Sequence, residues 1–188
     1  PPSPFPPPPY AVRALSYLSV AQFDGLISAW QYKYAYNRPS PAEVDHTITA
    51  AYIENDIPSY PSDGAVVATV SKAILSAMFP LEKEYLAEKA AEHIASLKWA
   101  GMNVESDIAA GITIGDEVSK IALARAATDG MSKAQCPKPV SDSLQTAAFN
   151  RFGWKWENIE VPARPVGLTP LFGQVKMWCV PTVEEVRP

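Results

Sequence analysis

The sequence predicts an all-α protein, and three observations support that class. Four stretches place apolar residues close to the 3.6-residue period of a helix. Strand patterns are hard to find between them. Apolar residues make up 47% and charged residues 19% of the 188 residues, so the chain can bury a sizeable core.

The first two predicted helices run from Ala11 to about Tyr36 and from Ser62 to Phe79. The first repeats large apolar residues along most of its length. The second has Ser62 as a candidate N-cap and a buried stripe that includes Val66 and Val70.

The other two predicted helices run from Pro80 to about Ala100 and from Ser106 to Thr128. The serine at the start of the last helix is a candidate cap, and Gly130 is a candidate C-terminal stop. Gly111 and Gly115 lie four residues apart on one face of that helix, which predicts close helix–helix packing.

Proline is the outlier of the composition, at 19 residues. Residues 1–9 hold seven prolines and predict a polyproline linker, which leaves 10–188 as one helical domain. The prolines from Pro137 to Pro188 predict a C-terminal part too broken for long helices, wrapped over the core in extended form. The leading prolines also suggest a connector to a missing N-terminal helical portion or a partner chain.

Charge and hydropathy exclude two classes of partner. The net charge is −4 and the pI is near 5.2, whereas a general nucleic-acid binder needs a basic stripe. No apolar run has the length that a membrane span requires. Cys136 and Cys179 are either one bridge or two buried thiols.

Three segments, in this order, carry a recognisable pattern. They are Trp30 to Pro39 (WQYKYAYNRP), Pro58 to Ala65 (PSYPSDGA) and Ser96 to Asp107 (SLKWAGMNVESD). Together they resemble the motifs Lys-x6-Arg-Pro, Pro-Ser-Gly-His and Ser-Arg-x5-His-x3-Asp. Those motifs belong to the superfamily of type 2 phosphatidic acid phosphatases and vanadium-dependent haloperoxidases, here in its soluble haloperoxidase-like branch. The resemblance covers nearly the whole chain and implies a helical bundle.

The resemblance implies a pocket for a tetrahedral oxyanion, phosphate or vanadate. In the family, one lysine and two arginines neutralise the anion, and serine and glycine groups bind its oxygens. The histidine of the third motif is the nucleophile or the vanadium ligand. The histidine of the second motif is the acid/base, and the aspartate orients the nucleophilic imidazole.

Several of these positions hold other residue types in this chain. The positions expected to line the ancestral oxyanion pocket are Gln31 in place of lysine, Arg38, Ser62, Asp63 in place of glycine, Ser96, and Leu97 in place of arginine. The positions expected for catalysis are Gly64 and Asn103, both in place of histidine, and Asp107. Arg38 is then the remaining anion anchor, and Asp107 is expected to hydrogen-bond Asn103.

These replacements remove most of the expected chemistry. Losing a lysine, an arginine and a histidine costs about 4–9 kcal/mol of anion affinity if the losses add, or roughly three to six decades. Asparagine is not a competent nucleophile for phosphoryl transfer. Asp63 adds negative charge where a dianion would bind.

Three side chains are weighed as replacements for the lost cations. Lys33 lies two residues from the lysine position, about 200° around the helix, and is expected to point into solvent. Lys98 and His93 are possible rescues, since one follows Leu97 directly and the other precedes it by one helical turn.

A cation site is the other chemistry considered. Its candidate oxygen ligands are Glu54, Asp56, Asp63, Asn103, Glu105 and Asp107. No metal is assigned with them, because their spacing has no EF-hand character.

Three functions follow as hypotheses. The favoured one is a non-catalytic or repurposed member of the superfamily that binds a small molecule or oxyanion. The others are an active hydrolase or haloperoxidase with a variant oxyanion site, and a structural subunit. Phosphate or vanadate would be the cofactor only if the ancestral site still works. The family branch implies export from the cytoplasm.

Overall fold

The computed structural model describes residues 8–52, 57–134, 137–155, 159, 161 and 170–186. Within these residues the structure is helical and contains no strand, which confirms the all-α class. The described part of the chain contains six α-helices: α1 Pro8–Tyr36, α2 Pro41–Val44, α3 Asp63–Met78, α4 Lys83–Trp99, α5 Glu105–Ala127 and α6 Lys138–Phe152. Four short 3₁₀ turns cover Pro80–Glu82, Met131–Lys133, Phe172–Gln174 and Val183–Glu185.

The chain divides into two compact units, Pro1–Arg125 and Ala126–Pro188. In the first unit, α3 packs against α1, α4 and α5, so its side chains form much of the core. Helix α1 approaches it at Gly25, where a Cβ atom would lie 2.7 Å from Val66 Cγ1. Helix α5 approaches it at Gly111 and Gly115, which confirms the close packing predicted from their spacing.

The second unit contains α6 and the turns that follow it. Its loop at Asp129 accepts a hydrogen bond from Lys176 N at 2.8 Å. Gly130 has φ of 94°, a left-handed conformation that favours glycine. It lies beside the Gln174 carbonyl, 3.4 Å from where a Cβ would stand.

Several predicted boundaries are wrong by a few residues. Helix α1 begins at Pro8, so the last two prolines of the predicted linker lie in its first turn, where proline is tolerated. Residues 1–7 lie outside the described residues. Helix α5 begins at Glu105, so Ser106 is inside the helix and is not its cap. That helix ends at Ala127, three residues before Gly130.

The prediction of no long helix after Pro137 is wrong. Helix α6 has 15 residues and keeps Pro139 in its first turn, where the missing N–H costs no hydrogen bond. Its end is set by Gly153, which has φ of 75°. Cys179 is free and exposed, so neither a bridge nor a buried thiol describes it, and Cys136 lies outside the described residues.

Candidate functional site

A group of polar side chains lies where the N-terminal ends of α3 and α5 meet. The two ends are joined directly, because Ser62 N donates to the Asp107 carbonyl oxygen at 2.9 Å. Ser62 is the N-cap of α3, as predicted, and its Oγ accepts a hydrogen bond from Ala65 N at 3.2 Å. We call this group the polar cluster, and its members are Lys33, Arg38, Ser59, Ser62, Asp63, Asn103 and Asp107.

A chain of hydrogen bonds runs through the buried part of the polar cluster. Ser62 Oγ donates to Asn103 Oδ1 at 2.9 Å, and Asn103 Nδ2 donates to the Ser59 carbonyl at 2.9 Å. All three residues are buried. Asn103 therefore fastens the segment 59–62, just before α3, to the start of α5 and has its amide engaged on both sides.

The first charge pair of the polar cluster joins Arg38 to Asp107. Arg38 Nη1 lies 2.8 Å from Asp107 Oδ1 and also donates to Ser106 Oγ at 2.8 Å. Asp107 is fully buried, and its other carboxylate oxygen accepts from Val104 N at 3.0 Å. The carboxylate is thus occupied by Arg38 and by the start of its own helix, and the predicted bond to Asn103 is not formed.

The second charge pair joins Lys33 to Asp63. Lys33 is only 2% exposed, so the prediction that it points into solvent is wrong. Its Nζ donates to the Pro58 carbonyl at 2.6 Å and lies 3.6 Å from Asp63 Oδ1. Burial lowers the pKa of Lys33 below its usual value, and the nearby Asp63 carboxylate opposes that shift.

The position of Lys33 changes how the first motif is read. Lys33 stands five residues before Arg38, whereas the family spacing selects Gln31, which is exposed and lies outside the polar cluster. A signal for this was present in the sequence. The buried line of α1 steps through Ala21, Gly25 and Ala29 at four-residue intervals, and Lys33 is the next step.

The histidine position of the second motif and the arginine position of the third motif are held by Gly64 and Leu97, which are apolar. Leu97 is 7% exposed and packs with Ala65 and Ile108. A Cβ atom at Gly64 would lie 2.8 Å from Leu97 Cδ2, so the leucine fills the space beside the glycine. The structure brings these two predicted positions together, and a side chain at position 64 would require the Leu97 side chain to move.

Three other predicted residues lie outside the polar cluster. Ser96 is exposed and its Oγ donates to the carbonyl of His93, which is itself exposed, at 2.7 Å. Lys98 is on the surface with Nζ 2.5 Å from Glu105 Oε2. None of the three supplies a replacement cation in this arrangement, because each faces solvent.

The candidate cation ligands do not converge. Asp63 and Asp107 pair with different cations, and Glu105 pairs with Lys98. Glu54 and Asp56 lie outside the described residues. Among the residues that the structure covers, no group of three or more acidic, histidine or cysteine side chains could hold a metal ion.

The polar cluster is consequently balanced in charge. Each of its two cations faces a carboxylate, and its buried hydroxyl and amide groups bind one another. Such an arrangement holds helix ends and a loop together, but it presents no unpaired nucleophile or general base to a substrate.

Comparisons of this chain with known proteins identify no relative. No family model matches the chain, and no curated protein or solved structure gives a significant match. No helix among the described residues is long and apolar enough to cross a membrane.

Proposed function

We propose that this chain is a non-catalytic relative of the phosphatase and haloperoxidase superfamily whose oxyanion pocket has become an internal polar cluster. The observation that carries this proposal is the pairing of both remaining cations. Lys33 faces Asp63, and Arg38 faces Asp107. The family resemblance itself rests on the three sequence segments and would also make the protein an exported one.

The pairing opposes binding of a tetrahedral anion. A phosphate or vanadate ion would have to displace Asp63 from Lys33 and Asp107 from Arg38 before either cation could neutralise it. Both carboxylates would then face the anion at close range in a partly buried site, where like charges repel more strongly than in water. The retained lysine reduces the loss expected from sequence, but its neighbour Asp63 cancels the gain.

The two histidine positions give a second reason. Gly64 has no side chain and Asn103 uses its amide to hold Ser62 and Ser59. Neither can accept a proton or attack phosphorus at neutral pH. The role left to the polar cluster is to fix Arg38 and the segment 58–62 on the helix bundle. The function of the domain then lies in binding through its surface.

Titration calorimetry with orthovanadate, at neutral pH and low salt, tests the proposal. We expect no heat of binding for the natural chain up to millimolar vanadate, and the same result with inorganic phosphate. Binding at micromolar strength would overturn the proposal and would make assays with phosphoesters, and with bromide plus peroxide, the next step.

A variant in which the family residues are restored serves as the positive control for the vanadate titration. The changes Gly64→His and Leu97→Arg must be made together, because Leu97 occupies the space beside position 64. Adding Asn103→His and Asp63→Gly returns both family histidines and removes the opposing carboxylate. We expect this variant, if its helical content is retained, to bind vanadate at least 30-fold more tightly than the natural chain. A folded variant that binds no vanadate would argue against an ancestral oxyanion site here.

A further inference from the structure

The outward face of α1 is apolar along most of the helix. Its inward face contacts α3, through Gly25 against Val66 and through Gln22, whose amide donates to Ser71 Oγ at 2.9 Å. On the outward face, four large apolar side chains are between 53% and 64% exposed: Val12, Leu15, Phe23 and Ile27. We call these four residues the α1 stripe.

The α1 stripe is large for a surface that faces only water. Its four side chains expose on the order of 500 Å² in one row, estimated from the area that large apolar side chains bury. Half-buried Leu26 and Ala11 border the row and add to it. A stable dimer covers about 800 Å² on each partner, so the helix offers most of the area that one needs.

We infer that α1 joins two copies of this chain, packed antiparallel about a twofold axis near Ser19. Ser19 is exposed and stands midway between Leu15 and Phe23, four residues from each. A twofold axis at Ser19 therefore places Leu15 of one copy opposite Phe23 of the other. A small residue at the axis lets the two helices approach closely.

The charges of α1 favour the same arrangement. The helix has three charged residues, of which Lys33 is buried, so Arg13 and Asp24 are the two that border the outward face. They lie on the same flank, about 100° and 120° around the helix from Val12. They also stand at nearly equal distances from Ser19, six residues before it and five after it.

Antiparallel pairing about Ser19 brings Arg13 of each copy beside Asp24 of the other. The Arg13 guanidinium already lies over the Tyr17 ring and donates to Met78 Sδ, which holds it on this flank. In a parallel pair the twofold axis would run along the helices and put the two charged flanks on opposite sides of the interface, so neither Arg13–Asp24 pair could form. Charge and shape thus select one orientation, and this inference does not depend on the function proposed above.

Sedimentation velocity between about 1 and 300 μM chain measures the association directly. We expect a reversible monomer–dimer equilibrium in that range. Phe23→Asp is expected to raise the dissociation constant about 30-fold or more, because Phe23 is a central aromatic contact. Circular dichroism confirms that the variant folds, since Phe23 is exposed in the single chain. The matched control is Ile121→Asp, which changes an apolar residue on α5 that is also well exposed, and it is expected to leave the equilibrium unchanged.

Cysteine cross-linking tests the orientation, in a background with Cys136 and Cys179 changed to serine. Ser19→Cys is expected to form a disulfide-linked dimer readily, because the two residues meet at the axis. Gln31→Cys, exposed on the same helix, is expected to remain monomeric because antiparallel pairing separates the two cysteines by about 36 Å. A chain that stays monomeric to 300 μM, a dimer insensitive to Phe23→Asp, or cross-linking at 31 and not at 19 would each overturn the inference.

Discussion

The two halves of the contact between α3 and α5 are held together in different ways. Along its length the contact is a seam of small residues, where Gly111 and Gly115 let the α5 backbone lie against α3. At its N-terminal end the contact is the polar cluster, where Asp107 binds Arg38 and Asn103 binds Ser59 and Ser62.

The difference teaches what each half tolerates. The seam depends on the absence of atoms, so any added side chain forces backbone apart. The polar cluster depends on pairing, so a loss of one partner is costly while a matched loss of both is cheaper. Stability should therefore respond to added atoms in the seam and to lost partners in the polar cluster.

The largest effect is expected in the seam. A Cβ atom at Gly111 would overlap the Ser62 carbonyl oxygen and lie 2.9 Å from Ala65 Cβ, and neither can move without shifting α3. We expect Gly111→Ala to lower the free energy of unfolding by about 4 kcal/mol or more, measured by urea denaturation. This loss would far exceed the gain of about 1 kcal/mol that alanine normally brings to a helix.

Two other glycine changes calibrate that result. Gly115→Ala meets the side chain and not the backbone first, with Thr69 Cβ at 2.7 Å, so a smaller loss is expected. Gly173→Ala has no atom within 4 Å and is expected to be nearly neutral. A neutral Gly111→Ala would show that the seam is looser than described.

The next effect is expected at the charged end. Arg38→Met leaves the fully buried Asp107 carboxylate without its cation, and should cost about 3–5 kcal/mol of unfolding free energy. Asp107→Ala should cost less by itself, because the arginine side chain that it leaves behind is 44% exposed and stays hydrated. In the double variant the loss should be clearly smaller than the sum. Strict additivity would mean that the pair does not act as a unit.

A pH dependence is expected from Lys33. Burial lowers its pKa in the folded chain below 10.5, so between that lowered pKa and 10.5 the unfolded chain binds more protons than the folded one. Raising the pH through this range therefore favours folding. We expect the natural chain to gain unfolding free energy relative to Lys33→Met as the pH rises toward 10.5.

The partner residue sharpens the pH test. Asp63 opposes the lowering of the Lys33 pKa, so Asp63→Asn should move the start of the stability gain to lower pH. Urea denaturation at a series of pH values from 7 to about 10.5 measures both effects. A stability difference that stays constant over this range would contradict the burial of Lys33.

The smallest effect is expected for the surface pair beside the cluster. Lys98 and Glu105 are joined across exposed positions, with side chains 49% and 76% exposed. Lys98→Ala should change the unfolding free energy by no more than about 0.5 kcal/mol, because solvent screens such pairs. A loss comparable with that of Arg38→Met would mean that the polar cluster extends to the surface.

Local sequence patterns predicted the helices well and the polar cluster only in part. The Ser62 cap depends on a hydrogen bond within one helical turn, so the local sequence predicts it directly. The close packing at Gly111 and Gly115 depends on residues that share one helix face, which their four-residue spacing also predicts. The high proline content after Pro137 wrongly predicts that no helix such as α6 forms, because the effect of a proline depends on its position in the helix. Pro139 lies in the first turn, where it does not break the helix.

The amino-acid sequence by itself determined the helical class, the approximate extent of four helices and part of the set of residues that converge at the α3 and α5 starts, namely Arg38, Ser62, Asp63, Asn103 and Asp107. Tertiary structure decided which cation enters that set. Counting along one motif predicts Gln31 in the site and Lys33 in solvent, yet the fold buries Lys33 against Pro58 and Asp63. The physical reason is that the buried face of α1 is set by its packing on α3, and a residue count within one motif carries no information about that contact.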